Sequence, residues 1–238
     1  MALTGIFPKT REEEVPAGPL TLVKCRESSS DDYCGLVQLR EIYNPDIMYG
    51  QNYGYRSGLN KSMVEHLHKR VKKITDYVTI GQGDIVVDIG SNDSTLLRAY
   101  PEEKATLVGF DPTGAKFEKY YPDHINLFVN FFNSETFKKQ FGNKKARIIT
   151  SIAMFYDLDE PLKFVREIFD ILSDDGVWVF EQSYMPFMLE ANSFDTICHE
   201  HQEYYRLRDI HWMMKKAGLK IIDIEFNQIF HKRFYYRN

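Results

Sequence analysis

Asp84-Ile85-Val86-Val87-Asp88-Ile89-Gly90-Ser91-Asn92-Asp93-Ser94-Thr95-Leu96-Leu97 is the stretch that decides the fold, because it spells a buried strand, a tight turn and a helix start. Gly90 lets the backbone pass close to a ligand, and Ser91, Asn92 and Asp93 are residue types that cap the helix expected next. Downstream, short β-rich runs recur at Thr106–Phe110, Asn126–Val129, Arg147–Ile152 and Val177–Glu181. Helical stretches near Ser94–Tyr100, Lys116–Tyr121, Glu135–Phe141 and Pro161–Leu172 separate them. Apolar strands alternating with single helices build βαβ units, so the expected class is α/β, a Rossmann-like doubly wound and mostly parallel sheet. A helix over Leu207–Lys216 closed by Gly218, then a strand over Lys220–Glu225, continues that sheet, and the aromatic, basic tail Phe230–Asn238 reads as a final edge strand, with a disordered end as the alternative.

Upstream, Met63, Leu67, Val71, Ile74 and Val78 recur at spacings of three and four, the stripe of an amphipathic helix over Asn60–Val78 that Gly81 and Gly83 stop. Residues 1–58 are different in kind: Pro8, Pro16, Pro19 and Pro45 punctuate them, and Leu20–Lys24 and Gly35–Leu39 are the clear strand candidates. The expected organisation is an irregular N-terminal region over 1–58 and a core over 59–238.

The charge pattern around the turn selects the cofactor. A dinucleotide fingerprint needs three glycines at fixed offsets so that a pyrophosphate can rest on the helix N-terminus. Only Gly90 is present, and Asp88 and Asp93 bring negative charge to the place of the phosphates. The second strand ends in Asp111, a carboxylate placed to accept ribose hydroxyls. S-adenosylmethionine, with an adenosine, an amino group, a sulfonium and no phosphate, fits this pattern better than any dinucleotide does.

The chain resembles the class I S-adenosylmethionine-dependent methyltransferases, through Asp88-Ile89-Gly90-Ser91-Asn92-Asp93 as glycine loop and Leu172-Ser173-Asp174-Asp175-Gly176 as the turn before the fifth strand. More narrowly it is similar to the C-methyltransferases of nucleotide-linked deoxyketosugars, in Tyr53-Gly54-Tyr55-Arg56-Ser57-Gly58 and in Phe194-Asp195-Thr196-Ile197-Cys198-His199-Glu200-His201-Gln202-Glu203-Tyr204-Tyr205. The expected cofactor contacts are Tyr55, Arg56, Ser57, Asp88, Gly90, Ser91, Asn92, Asp93, Asp111, Phe132 and Ser151; Tyr53, Tyr55 and Arg56 read either as a lid with Arg56 on the methionine carboxylate or as a buried turn, and Phe131-Phe132 either flanks the adenine or packs in the core.

C-methylation next to a ketone needs a base for a weakly acidic proton, and a neutral imidazole suits that task near neutral pH. The resemblance places the base on the second histidine, His201, with Glu200, His199 and Tyr55 completing the catalytic group. In an extended segment His199 and His201 point the same way and Glu200 the other, whereas a helix spreads all three. A His-x-His pair also reads as a metal half-site or as a polar loop. The chain departs from the family pattern twice, with Cys198 in place of a tyrosine before His-Glu-His and Asp157 in place of a histidine after the fourth strand.

The family's N-terminal zinc module uses two cysteine pairs. Here Cys25 and Cys34 flank a serine-rich stretch, Ser28-Ser29-Ser30, and supply two of the four ligands a structural zinc requires, so no bound metal is expected. The family's C-terminal lobe has no counterpart before Asn238, which suits a fragment or a reduced relative. Three cysteines are no secreted disulfide framework, and the apolar runs fall far short of the roughly 20 residues of a membrane span. With a net charge of −4 and scattered basic residues, nucleic acid is not an expected partner. The sequence thus reads as a soluble cytoplasmic enzyme acting on a small molecule of nucleotide-sugar type. An O-methyltransferase and a non-catalytic cofactor-binding relative are the alternative readings.

Overall fold

A computed structural model describes residues 1–3, 8, 10–26, 33–49, 53–226 and the backbone of 232–237. In the N-terminal region, β1 (Leu22–Lys24) and β2 (Val37–Leu39) pair antiparallel, and a four-residue helix α1 (Pro45–Met48) follows. The amphipathic stripe forms α2 (Lys61–Tyr77), started by Asn60, whose side chain accepts the Ser62 amide. Then come β3 (Ile85–Ile89), β4 (Thr106–Phe110), α3 (Gly114–Phe117), β5 (Ile125–Phe128), α4 (Ser134–Phe141), β6 (Ala146–Ile152), α5 (Pro161–Ile171), β7 (Leu172–Gln182) and α6 (Met185–Glu190). The chain ends through β8 (Glu203–Tyr204), α7 (Leu207–Ala217), β9 (Lys220–Glu225) and β10 (Lys232–Arg237).

The main sheet has the order β5-β4-β3-β6-β7-β10-β9. Its first five strands are parallel, as the alternation of runs predicts. Because side chains alternate across a strand, Ile85, Val87 and Ile89 pack into one core with Phe164, Ile168 and Trp178, while Val86 packs on the other face with Leu67, Val71 and Ile74 of α2. The order reverses at β3, which is flanked by β4 and β6, so a crevice opens above the carboxyl ends of these three strands.

Four expectations are corrected here. The stretch Ser94–Tyr100 is no α-helix: Asn92 and Ser94 sit at positive φ, 50° and 60°, which breaks helical continuity, and a 3₁₀ turn at Leu97–Ala99 is what remains. The expected helix over Lys116–Tyr121 is likewise the short α3 followed by a 3₁₀ turn at Glu118–Tyr120. The expected turn Leu172–Gly176 is part of β7, accommodated by a register shift between Ala146 and Ile148. Finally, the tail strand β10 is not at the edge: it inserts antiparallel between β7 and β9 and bonds to both, which places β9 outermost. The ends of the tail, 230–231 and 238, lie outside the described residues, as do Ser28-Ser29-Ser30.

The N-terminal strands are tied to the rest of the chain through β8, which pairs antiparallel with β2. That small sheet brings the segments before and after the main sheet's first five strands to the same end of the crevice.

Candidate active site

A cavity of about 610 Å³ lies over the carboxyl ends of β3, β4 and β6. Asp88, Gly90, Ser91, Asn92, Asp111 and Phe132 line it from the sheet side, Tyr55 and Ser57 from the N-terminal segment, and Glu200 and His201 from the segment before β8. Residues far apart in sequence are therefore gathered as the strand-end argument expects.

The glycine loop is held from beneath and from the side. Gly90 adopts φ 74°, and a Cβ there would meet Met154 at 3.3 Å. The Tyr121 hydroxyl donates to the Asn92 carbonyl at 2.8 Å, which leaves its oxygen to accept from Ser91 Oγ at the same distance. Asn92 and Asp93 cap no helix. Their side chains accept the backbone N–H groups of Ser57 (2.9 Å) and Gly58 (3.0 Å), fastening the Tyr53–Gly58 segment over the cavity.

Arg56, Asp93, Ser151 and His199 are not among the lining residues. Arg56 stacks its guanidinium 4.4 Å from the Tyr120 ring centre and pairs with the fully buried Asp93 at 3.9 Å. Ser151 is sealed in the sheet and accepts the Trp178 indole N–H at 2.9 Å. The segment Cys198–His201 is bent, not extended, with the His201 amide donating to the Cys198 carbonyl at 3.3 Å. The bend reverses the expected side-chain pattern: Glu200 and His201 reach the cavity, while His199 packs edge-on against Tyr43 and approaches the Gly18 carbonyl at 3.4 Å.

His201 has a defined tautomer. Its Nδ1 lies 2.9 Å from the Thr196 carbonyl, which can only accept, so Nδ1 is a donor, and in the neutral ring Nε2 is the nitrogen that holds the lone pair. The ring packs edge-on against Tyr156 at 4.4 Å. At the same end stand Tyr53, expected in the lid, and Tyr49 and Asp157, which were not among the expected contacts. Asp157 had a sequence signal, its departure from the family's histidine. Tyr49 had none, since it reaches the site only because the N-terminal region folds over the sheet.

Electrostatically the cavity is acidic: Asp88, Asp111, Asp157, Asp159 and Glu200 line it, and no Lys or Arg does so among the described residues. Burial pushes the Asp88 carboxyl up to about 7, against the hydrogen bond donated by Thr150 Oγ1 at 2.6 Å, and the neighbouring Asp111 adds to the rise. A cation arriving in the cavity favours ionised Asp88. Binding of a cationic cofactor is therefore expected to tighten as pH rises through about 7 and to release protons, a release read by calorimetry in buffers of different ionisation enthalpy. In the empty protein the sign is the opposite for stability. The raised folded-state value means that the native chain holds the extra proton between about 4 and 7, so this group's contribution to stability is lost as pH rises through that window.

Asp111 accepts three bonds already, from the amides of Asn92 (2.8 Å) and Thr113 (2.7 Å) and from the Thr113 hydroxyl (2.6 Å). A carboxylate offers about four acceptor positions, so one remains for a ligand hydroxyl. Among the described residues no group of three or more His, Cys, Asp or Glu side chains is arranged to hold a metal ion. Cys25 and Cys34 adjoin each other, and N–H groups of Cys34 and Gly35 lower the Cys25 thiol while burial raises that of Cys34. No described helix is long and apolar enough to cross a membrane.

The sequence profile of a family described as methyltransferase domain matches residues 63–224. The C-methyltransferase NovU of Streptomyces niveus is 26% identical over 207 residues, covering 87% of this chain and 48% of its own length, so the chain spans about half of that curated relative. Among solved structures, an O-methyltransferase family protein from Burkholderia thailandensis is similar with a TM-score of 0.59 at 16% identity, over 82% of this chain and 63% of that one. An S-adenosylmethionine-dependent methyltransferase from Mesorhizobium loti has a TM-score of 0.57 at 12% identity, over 74% of this chain and 100% of that one. At these identities the structural likeness concerns the fold.

Proposed function

The chain belongs to the methyltransferase-domain family, and on that premise we propose that it transfers the methyl group of S-adenosylmethionine to a carbon of a small ketone of the nucleotide-linked ketosugar type. The observation that carries the reading is the His201 tautomer: its Nδ1–H is spent on the Thr196 carbonyl, so a residue lining the cavity offers a basic Nε2. The likeness to a C-methyltransferase supports carbon as the methylated atom.

The cavity suits the cofactor. Asp88 and Asp111 face a ligand with a sulfonium and an amino group, Gly90 leaves room beside the backbone, and Phe131 and Phe132 offer aromatic surface for adenine. When bound, S-adenosylmethionine supplies an electrophilic methyl that leaves its sulfonium as the new carbon–carbon bond forms, with the S–C electron pair passing to sulfur. The protein's part is to hold, to orient and to move one proton. Asn92 and Asp93 fasten the Tyr55–Ser57 cover, Asp111 offers its remaining acceptor position to the ribose, and His201 takes the proton from the carbon that is to be methylated. Five acidic side chains and no lining Lys or Arg among the described residues suit a neutral sugar end in the cavity, with any diphosphate outside it. The same surface is unsuited to a nucleic-acid backbone.

Asp111→Ala removes a charged hydrogen bond of about 1.5–3 kcal/mol, so S-adenosylmethionine binding is expected to weaken by at least roughly tenfold. Unchanged affinity in calorimetry refutes that role. The reaction itself is tested by NMR of the product formed from a nucleotide-linked deoxyketosugar. A new C-methyl signal supports the reading, and an O-methyl signal replaces it with oxygen methylation.

A further inference from the structure

Asp157 occupies the acceptor end of the cavity, in the 3₁₀ turn Phe155–Asp157 that follows β6. Its Oδ1 is sealed from solvent and has no hydrogen-bond partner. An ionised carboxylate with an orphaned buried oxygen is costly, whereas an un-ionised carboxyl needs fewer partners and carries a proton to give away. The surroundings favour that form. The Tyr49 hydroxyl adjoins the carboxyl from the segment after α1, the thiol of Cys198 and the carboxylate of Glu200 face it from the segment before β8, and Glu203 faces it from β8 itself. Burial above all, with the like charge of Glu200, pushes the Asp157 carboxyl well above the usual carboxylate range, against the opposing pull of His201 and the Tyr49 bond.

Removing a proton beside a ketone moves negative charge onto the carbonyl oxygen, and the catalytic value of a site lies largely in donors already aimed where that charge develops. Lys and Arg are absent from the lining among the described residues. The proton donors at this end include Asp157 and the hydroxyls of Tyr53 and of Tyr49, the latter donating to the Glu200 carbonyl at a long 3.3 Å, and burial keeps both tyrosines protonated. Resting on the ketone reading above, we propose that Asp157, with Tyr49 beside it, receives the acceptor's carbonyl oxygen and donates a hydrogen bond to it while His201 takes the proton from the adjacent carbon. In that step the C–H electron pair becomes the carbon–carbon double bond of an enolate, the carbonyl pair passes to oxygen, and the proton resides on His201 Nε2. Asp157 keeps its own proton throughout. A carboxylic acid held neutral in an apolar site to donate a hydrogen bond is known enzyme chemistry.

The test uses the chain with S-adenosylhomocysteine in the cofactor site and a nucleotide-linked deoxyketosugar in deuterium oxide, with NMR following exchange of the hydrogen next to the ketone. Asp157→Ala loses the donor, and exchange is expected to fall about 10²–10³-fold. Asp157→Asn keeps a neutral N–H donor, so exchange is expected to fall less than tenfold, and the alkaline decline expected of the wild type is absent because Asn cannot ionise. Cofactor affinity measured on both variants reports that they are folded, and the Asn variant carries the test alone if the Ala variant is not. Asp157→Ala exchanging like wild type while His201→Asn is inactive overturns the role of Asp157 alone. Asp157→Asn as inactive as Asp157→Ala also overturns it, because an ionised carboxylate is then what the site uses. Exchange that is absent in the wild type, or untouched by His201→Asn, overturns the ketone reading and this proposal with it.

Discussion

His201→Asn is expected to lower methyl transfer by roughly the 10²–10⁴ that follows loss of a general base. Asn retains an amide N–H able to bond the Thr196 carbonyl, the contact that Nδ1 makes at 2.9 Å, but has no basic nitrogen. The protein should therefore fold and bind cofactor much as before while methyl transfer is lost. His199→Asn is the control. His199 packs against Tyr43 and the Gly18 carbonyl and does not line the cavity, so its loss should act mildly. Wild-type turnover in the His201 variant, on an acceptor the enzyme uses, removes the base from the mechanism.

The largest stability effect is expected at Glu181, next to the last residue of β7 and fully buried. Its Oε2 lies 2.6 Å from His66 Nε2 and its Oε1 2.6 Å from Arg70 Nε, two α2 residues one turn apart on the face that meets the sheet. This cluster joins helix to strand below the cavity wall formed by Met63 and Leu67. Glu181→Ala leaves the Arg70 guanidinium buried without its carboxylate, and breaking a buried pair in this way costs about 3–5 kcal/mol. For a chain of this size that corresponds to a fall in the unfolding midpoint of roughly 6–20 °C. Glu181→Gln, which keeps the shape and an acceptor oxygen, should lose less. Calorimetry that finds both variants as stable as wild type would show that the buried charges are compensated elsewhere.

What could be read from the sequence was whatever a local pattern encodes. Ile85–Ile89, Thr106–Phe110 and Lys220–Glu225 form strands over the very residues expected, and the Met63 to Val78 stripe forms α2 within a residue or two at each end. A buried strand must be a short apolar run between breakers, and a half-buried helix must repeat every three or four residues; both constraints act within a few neighbours. Asp88 and Asp111 were legible for the same reason, since a strand's end fixes where its last carboxylate emerges. The parallel direction of the five strands then followed from the βαβ alternation, while β10 was misplaced because an added strand can bond either at an edge or between two others, and its own residues do not distinguish them.

The polar partners were decided by tertiary structure alone. Asn92 and Asp93 have the composition of helix caps, yet they bond Ser57 and Gly58, because the N-terminal segment crosses the turn and offers amides that outcompete a helix the positive φ angles have already broken. His199 and His201 look equivalent in the motif, yet one bend before β8 sends the first to the N-terminal region and the second to the cavity. Tyr49 meets Asp157 across most of the fold. The sequence by itself determined the strands, the long helices and the two carboxylates at the switch point, since apolar periodicity is a local record of which face is buried. Which polar groups face one another in the cavity belonged to the packed structure, since a hydrogen bond between distant residues depends on how the segments carrying them are brought together.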